Sequence, residues 1–330
     1  MIHVFNYFFR FRTSLLFCVA LLLSEKSFGQ KLPQLSQAEQ LKIQQENQLN
    51  PTSKLEERVK ETPPDILQKF KEAGMAPQSH RLTEAEKLIV SHAFALLPPL
   101  HRRVLKDRLR SISFLDNMPN TALTGPVNAN SPYRLYHITI RAAILNQTVS
   151  EWLTEKERTN FDTTGSRLQV SINSSTMNAL VYVLLHESTH VLDGSLEITP
   201  GMIPANEIAA AVQANLLTAN IWEDRSVLAK QYRGTLLDST RFRRSKIVPV
   251  SKAREVYEAL SRTPFVSLYG MSSWHEDLAE LLTVFHFTQK LGQPFMISIF
   301  NVDRKEIYSY EPMKSPLVQS RLKQLERFYL

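Results

Sequence analysis

Residues 176–193, TMNALVYVLLHESTHVLD, form a largely apolar stretch that carries two histidines four positions apart, His186 and His190. Four residues is about one helical turn, so in a helix both imidazoles lie on one face. Asn173, Ser174 and Ser175 just ahead are good helix caps, and Gly194 supplies a stop. Leu180, Val183, Leu184 and Val191 give the helix an apolar face to bury. A chain with such a helix must build a core around it while leaving the imidazoles usable. Two histidines at this spacing can share a tetrahedral metal, and Glu187, directly after the first, can reach a water on that metal. The competing reading is a pair of ordinary core or solvated histidines. Cys18 is the only cysteine, which excludes a disulfide framework and a cysteine-based zinc finger. Any metal site is therefore built from histidine and carboxylate.

A catalytic zinc needs a third protein ligand. The metzincin continuation, a glycine and then a histidine, is absent, because Asp193 and Leu196 stand there. Asp193 lies one turn beyond His190, as a ligand or as a second-shell partner that orients an imidazole. The better source is YGMSSWHEDLAE, Tyr269 to Glu280. Glu276 and Glu280 form an i, i+4 pair on a helix that Leu278, Leu281, Leu282 and Val284 make largely buried. Two carboxylates on a buried face need partners inside. A zinc and a zinc-bound histidine are such partners. Ser273-x-x-Glu276 is also a capping box, which explains Glu276 without metal but leaves Glu280 unexplained. His275 adjoins Glu276 but points elsewhere on the helix, His286 lies nearly three turns beyond Glu276 and reads as core, and His80, His92, His101 and His137 show no partner pattern.

The pair HESTH plus YGMSSWHEDLAE resembles the gluzincin zinc metallopeptidases, and among them the lethal-factor-like catalytic domains. Their second motif is a tyrosine, a seven-residue step to glutamate, and a Glu-x-x-Ala-Glu core; Tyr269 to Glu276 and Glu276–Glu280 fit it. The resemblance implies an α+β zincin-like fold: a small mixed sheet, the HESTH helix against it, and a helical lower half carrying Glu276. It implies one zinc per chain, held by His186, His190 and Glu276. Glu187 is then the general base that activates the zinc-bound water, Tyr269 the donor to the oxyanion, and Glu280 the second-shell acceptor for a ligand histidine. The activity implied is hydrolysis of peptide bonds in a peptide or protein substrate. The alternative is a non-catalytic peptide- or envelope-component-binding protein on the same scaffold, since a fold does not guarantee its chemistry.

The rest of the chain sets the context. Residues 1–29 read as a signal peptide: Arg10 and Arg12, the apolar run LLFCVALLL, then Ser27-Phe28-Gly29. Nine apolar residues fall short of the roughly 20 that span a bilayer. The expectation is a secreted or periplasmic protein with no membrane span in the mature chain. Losing Arg10, Arg12, Lys26 and Glu25 lowers the net charge from +7 to +5, too mild an excess for a nucleic-acid partner. The mature chain is expected to be a monomer. Arg102, Arg103, Lys106, Arg108 and Arg110 alternate with apolar residues, as on the solvated face of an amphipathic helix; Arg241, Arg243, Arg244 and Lys246 form a second cluster. Residues 30–78 are polar and Gln-rich and read as a loosely docked segment ahead of a catalytic domain at 79–330. Within that domain, helices are predicted at 82–97 and 99–112, strands at 133–145 and 167–173, a strand pair at 295–312 and a final helix. A long loop is predicted at 117–132. The 85 residues between His190 and Glu276 are expected to be mainly helical, notably 206–232.

Overall fold

A computed structural model describes residues 35–330, apart from Met202 and residues 244–246. The signal expected at 1–29 lies outside the described residues, as do Arg244 and Lys246. The helices are α1 Gln37–Glu46, α2 Pro64–Glu72, α3 Glu84–Ala95, α4 Pro99–Arg108, α5 Val149–Arg158, α6 Ala179–Leu196, α7 Ile208–Ala214, α8 Ala253–Leu260, α9 Trp274–Phe285 and α10 Pro316–Leu322. The strands are β1 Gln78–Ser79, β2 Leu109–Asp116, β3 Ala122–Pro126, β4 Tyr136–Arg141, β5 Phe161–Asp162, β6 Gln169–Asn173, β7 Trp222–Asp224, β8 Val227–Leu228, β9 Val248–Pro249, β10 Met296–Phe300 and β11 Glu306–Tyr310. The architecture is mixed α+β with small sheets.

The main sheet has the order β1-β2-β4-β3, with β2 and β4 parallel and the outer pairs antiparallel. Side chains alternate across it. Ile112, Phe114, Ile138 and Ile140 join the main core, together with α6. Ser111, Ser113, His137 and Thr139 point to the other face and are also buried. There His137 sits between two hydroxyls, Ser111 Oγ at 2.7 Å and Ser113 Oγ at 3.0 Å. Burial pushes this imidazole down to about 4, so it is a neutral core residue.

The N-terminal segment covers that second face, which corrects the expectation of loose docking. Phe70 of α2 packs with Leu115 and Met118, flanked by Ile66, Leu67 and Leu123. Leu49 packs with Tyr133 and Leu135, and Leu55 enters the main core. Buried Arg58 donates to the carbonyls of Leu109 and Asn50. Gln44 donates to the Tyr133 hydroxyl and the Asp107 carbonyl. Leu49, Leu55 and Phe70 are anchors, while Leu41 stays exposed, and buried Arg58 and Gln44 find backbone partners. Leu55 thus ties residues 35–78 to the main core, and Leu49 and Phe70 form two smaller clusters with residues of 79–330.

A second sheet, β11-β10-β6, is antiparallel and places Ile297 and Ile299 opposite Ile172 and Val170. The strands predicted near 167–173 and 295–312 are these. Three other expectations are corrected. The helix over 99–112 stops at Arg108, because Ser111-Ile112-Ser113-Phe114 alternates with period two and continues as β2. The loop at 117–132 contains β3, an edge strand. The stretch 206–232 is α-helical only in α7, then forms the β7–β8 hairpin, which buries Trp222 and Leu228, and ends in a short 3-10 turn at Lys230–Tyr232. Among the described residues no helix is long and apolar enough to cross a membrane. On α4, Arg102, Arg103 and Lys106 are exposed while Val104 and Leu105 are buried, the amphipathic pattern expected.

Helix α6 also differs in its ends. Asn178 caps it, its Oδ1 accepting from the Leu180 amide at 2.9 Å. Gly194 does not end it. A methyl group at Gly194 would overlap the Tyr136 hydroxyl, so its role is to let β4 approach the helix. The helix ends at Glu197, which takes a left-handed conformation with φ 50°.

Candidate metal centre

Helices α6 and α9 pack against each other and bring the two motifs together. His186 Nε2 lies 3.3 Å from His190 Nε2. Glu276 Oε2 lies 3.0 Å from the first and 3.4 Å from the second. A tetrahedral ion with bonds of about 2.0–2.1 Å separates neighbouring donor atoms by roughly 3.3 Å. The three atoms therefore mark out one face of a zinc-sized tetrahedron. His186 is buried, while His190 and Glu276 are partly open to solvent, leaving a side for a fourth ligand. Among the described residues this is the one His/Cys/Asp/Glu group gathered closely enough to hold a metal.

The capping reading of Glu276 is half present. Ser273 caps α9, its Oγ accepting from the Glu276 amide at 3.3 Å. The Glu276 carboxylate does not return to the Ser273 amide; it turns to the histidines. Burial opposes charge on His186, yet the Glu276 and Glu280 carboxylates beside it raise the imidazole to about 10. Glu276 raises His190 in the same way. Against its own burial, Glu276 is in turn held well below the usual carboxylate range by the two histidines. The cluster is built to keep positive charge at its centre, which protons or a divalent ion can supply. Two imidazole nitrogens and a carboxylate are ordinary zinc donors.

Glu280, one turn along α9, is buried and crowded with donors. It accepts from Ser267 Oγ at 2.7 Å and from the Tyr182 hydroxyl at 3.3 Å. Lys156 Nζ lies 3.5 Å from its Oε1. The same oxygen is 3.1 Å from His186 Nδ1, close but poorly aligned for a strong hydrogen bond. Despite burial these neighbours lower Glu280 to about 2. Tyr269 stacks on His186, ring centres 5.7 Å apart, and Phe242 meets its ring edge-on at 5.0 Å. Glu187 faces the edge strand, where Thr124 Oγ1 donates to its Oε2 at 2.6 Å.

Asp193 is the one predicted site residue that the structure places elsewhere. It does not meet His186 or His190. Its carboxylate accepts from the amide and hydroxyl of Thr199, both at 2.7 Å, and lies 2.6 Å from His275 Nδ1. The Trp274 indole donates to His275 Nε2 at 3.0 Å, so Nδ1 carries the proton and donates to Asp193. Asp193 is buried, yet His275 and Thr199 hold it below its ordinary value. The pair ties the end of α6 to the start of α9. Helical spacing keeps Asp193 near the histidines' side of α6, but its carboxylate is taken up by Thr199 and His275 instead.

Sequence reasoning missed Thr124, Tyr182, Ser267 and Lys156. Thr124 was hidden in an apparent loop. Lys156 lies in WLTEKER, which carries the pattern of a solvated charged helix. Its neighbour Glu157 is buried and accepts from the Tyr257 hydroxyl at 2.7 Å. Burial raises Glu157 to about 7. An unfolded carboxyl loses its proton near 4.5, so the native state loses stability as pH rises from there to about 7, then no further. Glu157→Gln keeps the side-chain acceptor and removes this term. The variant should be more stable than wild type at pH 8, by on the order of 3 kcal/mol, and equal to it near pH 4. Urea unfolding at the two pH values checks this; a constant difference contradicts it.

Compared with known proteins, the chain matches no family model, no curated protein and no solved structure.

Proposed function

We propose that this chain is an exported zinc metallopeptidase of gluzincin type on a zincin-like scaffold. The observation that carries the reading is the triangle of His186 Nε2, His190 Nε2 and Glu276 Oε2, with sides of 3.0, 3.3 and 3.4 Å, formed by two motifs that also supply Glu187 and Tyr269. His186, His190 and Glu276 would hold one zinc, which supplies a Lewis acid that polarises the scissile carbonyl and acidifies water. Glu187 takes the proton of the water that adds to the carbonyl carbon, and returns it to the nitrogen as the C–N bond breaks. Thr124 holds the Glu187 carboxylate at the edge strand, which keeps its second oxygen free. Tyr269, stacked on His186, donates its hydroxyl to the carbonyl oxygen as negative charge develops there. Glu280 holds His186 from the Nδ1 side, so that Nε2 faces the centre. Peptide or protein is the substrate class, and the leader-like N-terminus supports action outside the cytoplasm. Cleavage of a mixed peptide library tests the reading. Hydrolysis should vanish with a zinc chelator and return with added zinc. Hydrolysis that persists through metal removal would overturn it.

A further inference from the structure

Lys156 touches two of the residues that flank the buried His186, Glu280 and Tyr269. Its Nζ lies 3.5 Å from Glu280 Oε1 and 3.9 Å above the centre of the Tyr269 ring. The Trp152 ring flanks it at 5.2 Å, and the lysine side chain is itself mostly buried. From there two paths reach one imidazole. Glu280 stands 3.1 Å from His186 Nδ1, and Tyr269 stacks against the His186 ring. A cation over an aromatic face is attracted to it, more strongly where water is excluded. A buried carboxylate needs a paired charge to stay in place. One ammonium on α5, a helix that carries none of the two motifs, meets both needs.

We infer that Lys156 is a positioning residue of the metal centre, fixing Glu280 behind His186 and pinning the Tyr269 ring across its face. The inference rests on the metallopeptidase reading and adds the residue that holds its two supports together. Removing Lys156 leaves Glu280 to its two hydroxyl donors, Ser267 and Tyr182, without the ammonium beside it, and takes the cation from the Tyr269 ring. Outer partners of ligand histidines commonly set metal affinity by about 10–100-fold. An arginine can keep the charge near Glu280 and lie flat on the tyrosine ring, whereas a methionine keeps the volume alone.

The test uses the full mature chain as wild type, Lys156→Met and Lys156→Arg. Zinc affinity is read by competition with a chromophoric chelator, and the ligand field by the visible spectrum of the cobalt-substituted protein. Lys156→Met should bind zinc about 10–100-fold more weakly and shift the cobalt bands, while Lys156→Arg regains most of the affinity. At saturating zinc, Lys156→Met should lower kcat with little change in KM, because Tyr269 acts on charge that exists only in the transition state. Thermal unfolding of the metal-free proteins identifies a variant that has merely unfolded, and Lys156→Gln then replaces Lys156→Met. Zinc affinity of a folded Lys156→Met within twofold of wild type overturns the inference and leaves the metal reading standing. Equal weakness of the Met and Arg variants overturns the role of charge. Wild type that binds no metal overturns both readings.

Discussion

Glu187→Gln should leave one zinc on each chain and reduce kcat for peptide hydrolysis by about a thousandfold or more. Glu187 is not among the residues whose atoms converge, which are His186, His190 and Glu276. Its carboxylate points to the edge strand, held by Thr124 Oγ1 at 2.6 Å. An amide at this position has nearly the same shape and still meets the Thr124 hydroxyl, but it cannot take a proton from water. A general base in this position is worth about 10²–10⁴ in rate. Zinc content and kcat are measured on the same preparation. Loss of zinc would place Glu187 among the ligands. Retained zinc with wild-type kcat would leave the cleavage without a base and favour a non-catalytic binding role.

The second large effect is on stability. Asp277→Ala should lower the unfolding free energy by about 3–5 kcal/mol. Asp277 adjoins Glu276 but faces away from the His186, His190 and Glu276 cluster into the core, 2% exposed. Arg321 of α10 pairs with both its oxygens, at 2.9 and 2.7 Å, and the Trp222 indole donates to it at 3.0 Å. Arg321 also donates to the Pro264 carbonyl. Burial raises the Asp277 carboxyl in spite of this pairing, a sign of how costly the site is for charge. Deleting the carboxylate strands a guanidinium that is 4% exposed. Breaking a buried pair at one side costs far more than the pair contributes, because the remaining charge has no water. Asp277→Asn, which keeps an acceptor for Arg321, should cost less. Denaturant unfolding decides the matter; a loss below about 1 kcal/mol for Asp277→Ala contradicts this view of α9 as clamped from behind.

The part of the site that could be read from the residues is the part that is local in sequence. Helical spacing puts His186 and His190 together, and the same spacing relates Glu276 to Glu280. The two motifs meet in space although 85 residues separate His190 from Glu276. What supports them was not legible, because it is held by contacts distant in sequence. Lys156 reaches Glu280 across 124 positions. β3 contains Gly125 and Pro126, residues that weaken a strand signal, and it forms because β4 offers an edge. An edge strand tolerates proline where a central one does not. The N-terminal segment misled through its average composition. A sheet face lined by Ser111, Ser113 and His137 needs few apolar side chains to seal it: Phe70 packs on Leu115 and Leu49 on Leu135, while Leu55 anchors the segment in the main core. Asp193 carried the sign of a ligand's neighbour, one turn past His190, but its partner is His275.

The most direct measurement is zinc per chain in purified residues 30–330, wild type beside Glu276→Ala. The account predicts about one zinc in wild type and a small fraction of that in the variant, because the Glu276 carboxylate would be one of three protein ligands. Wild-type protein that stays metal-free in the presence of added zinc would contradict it.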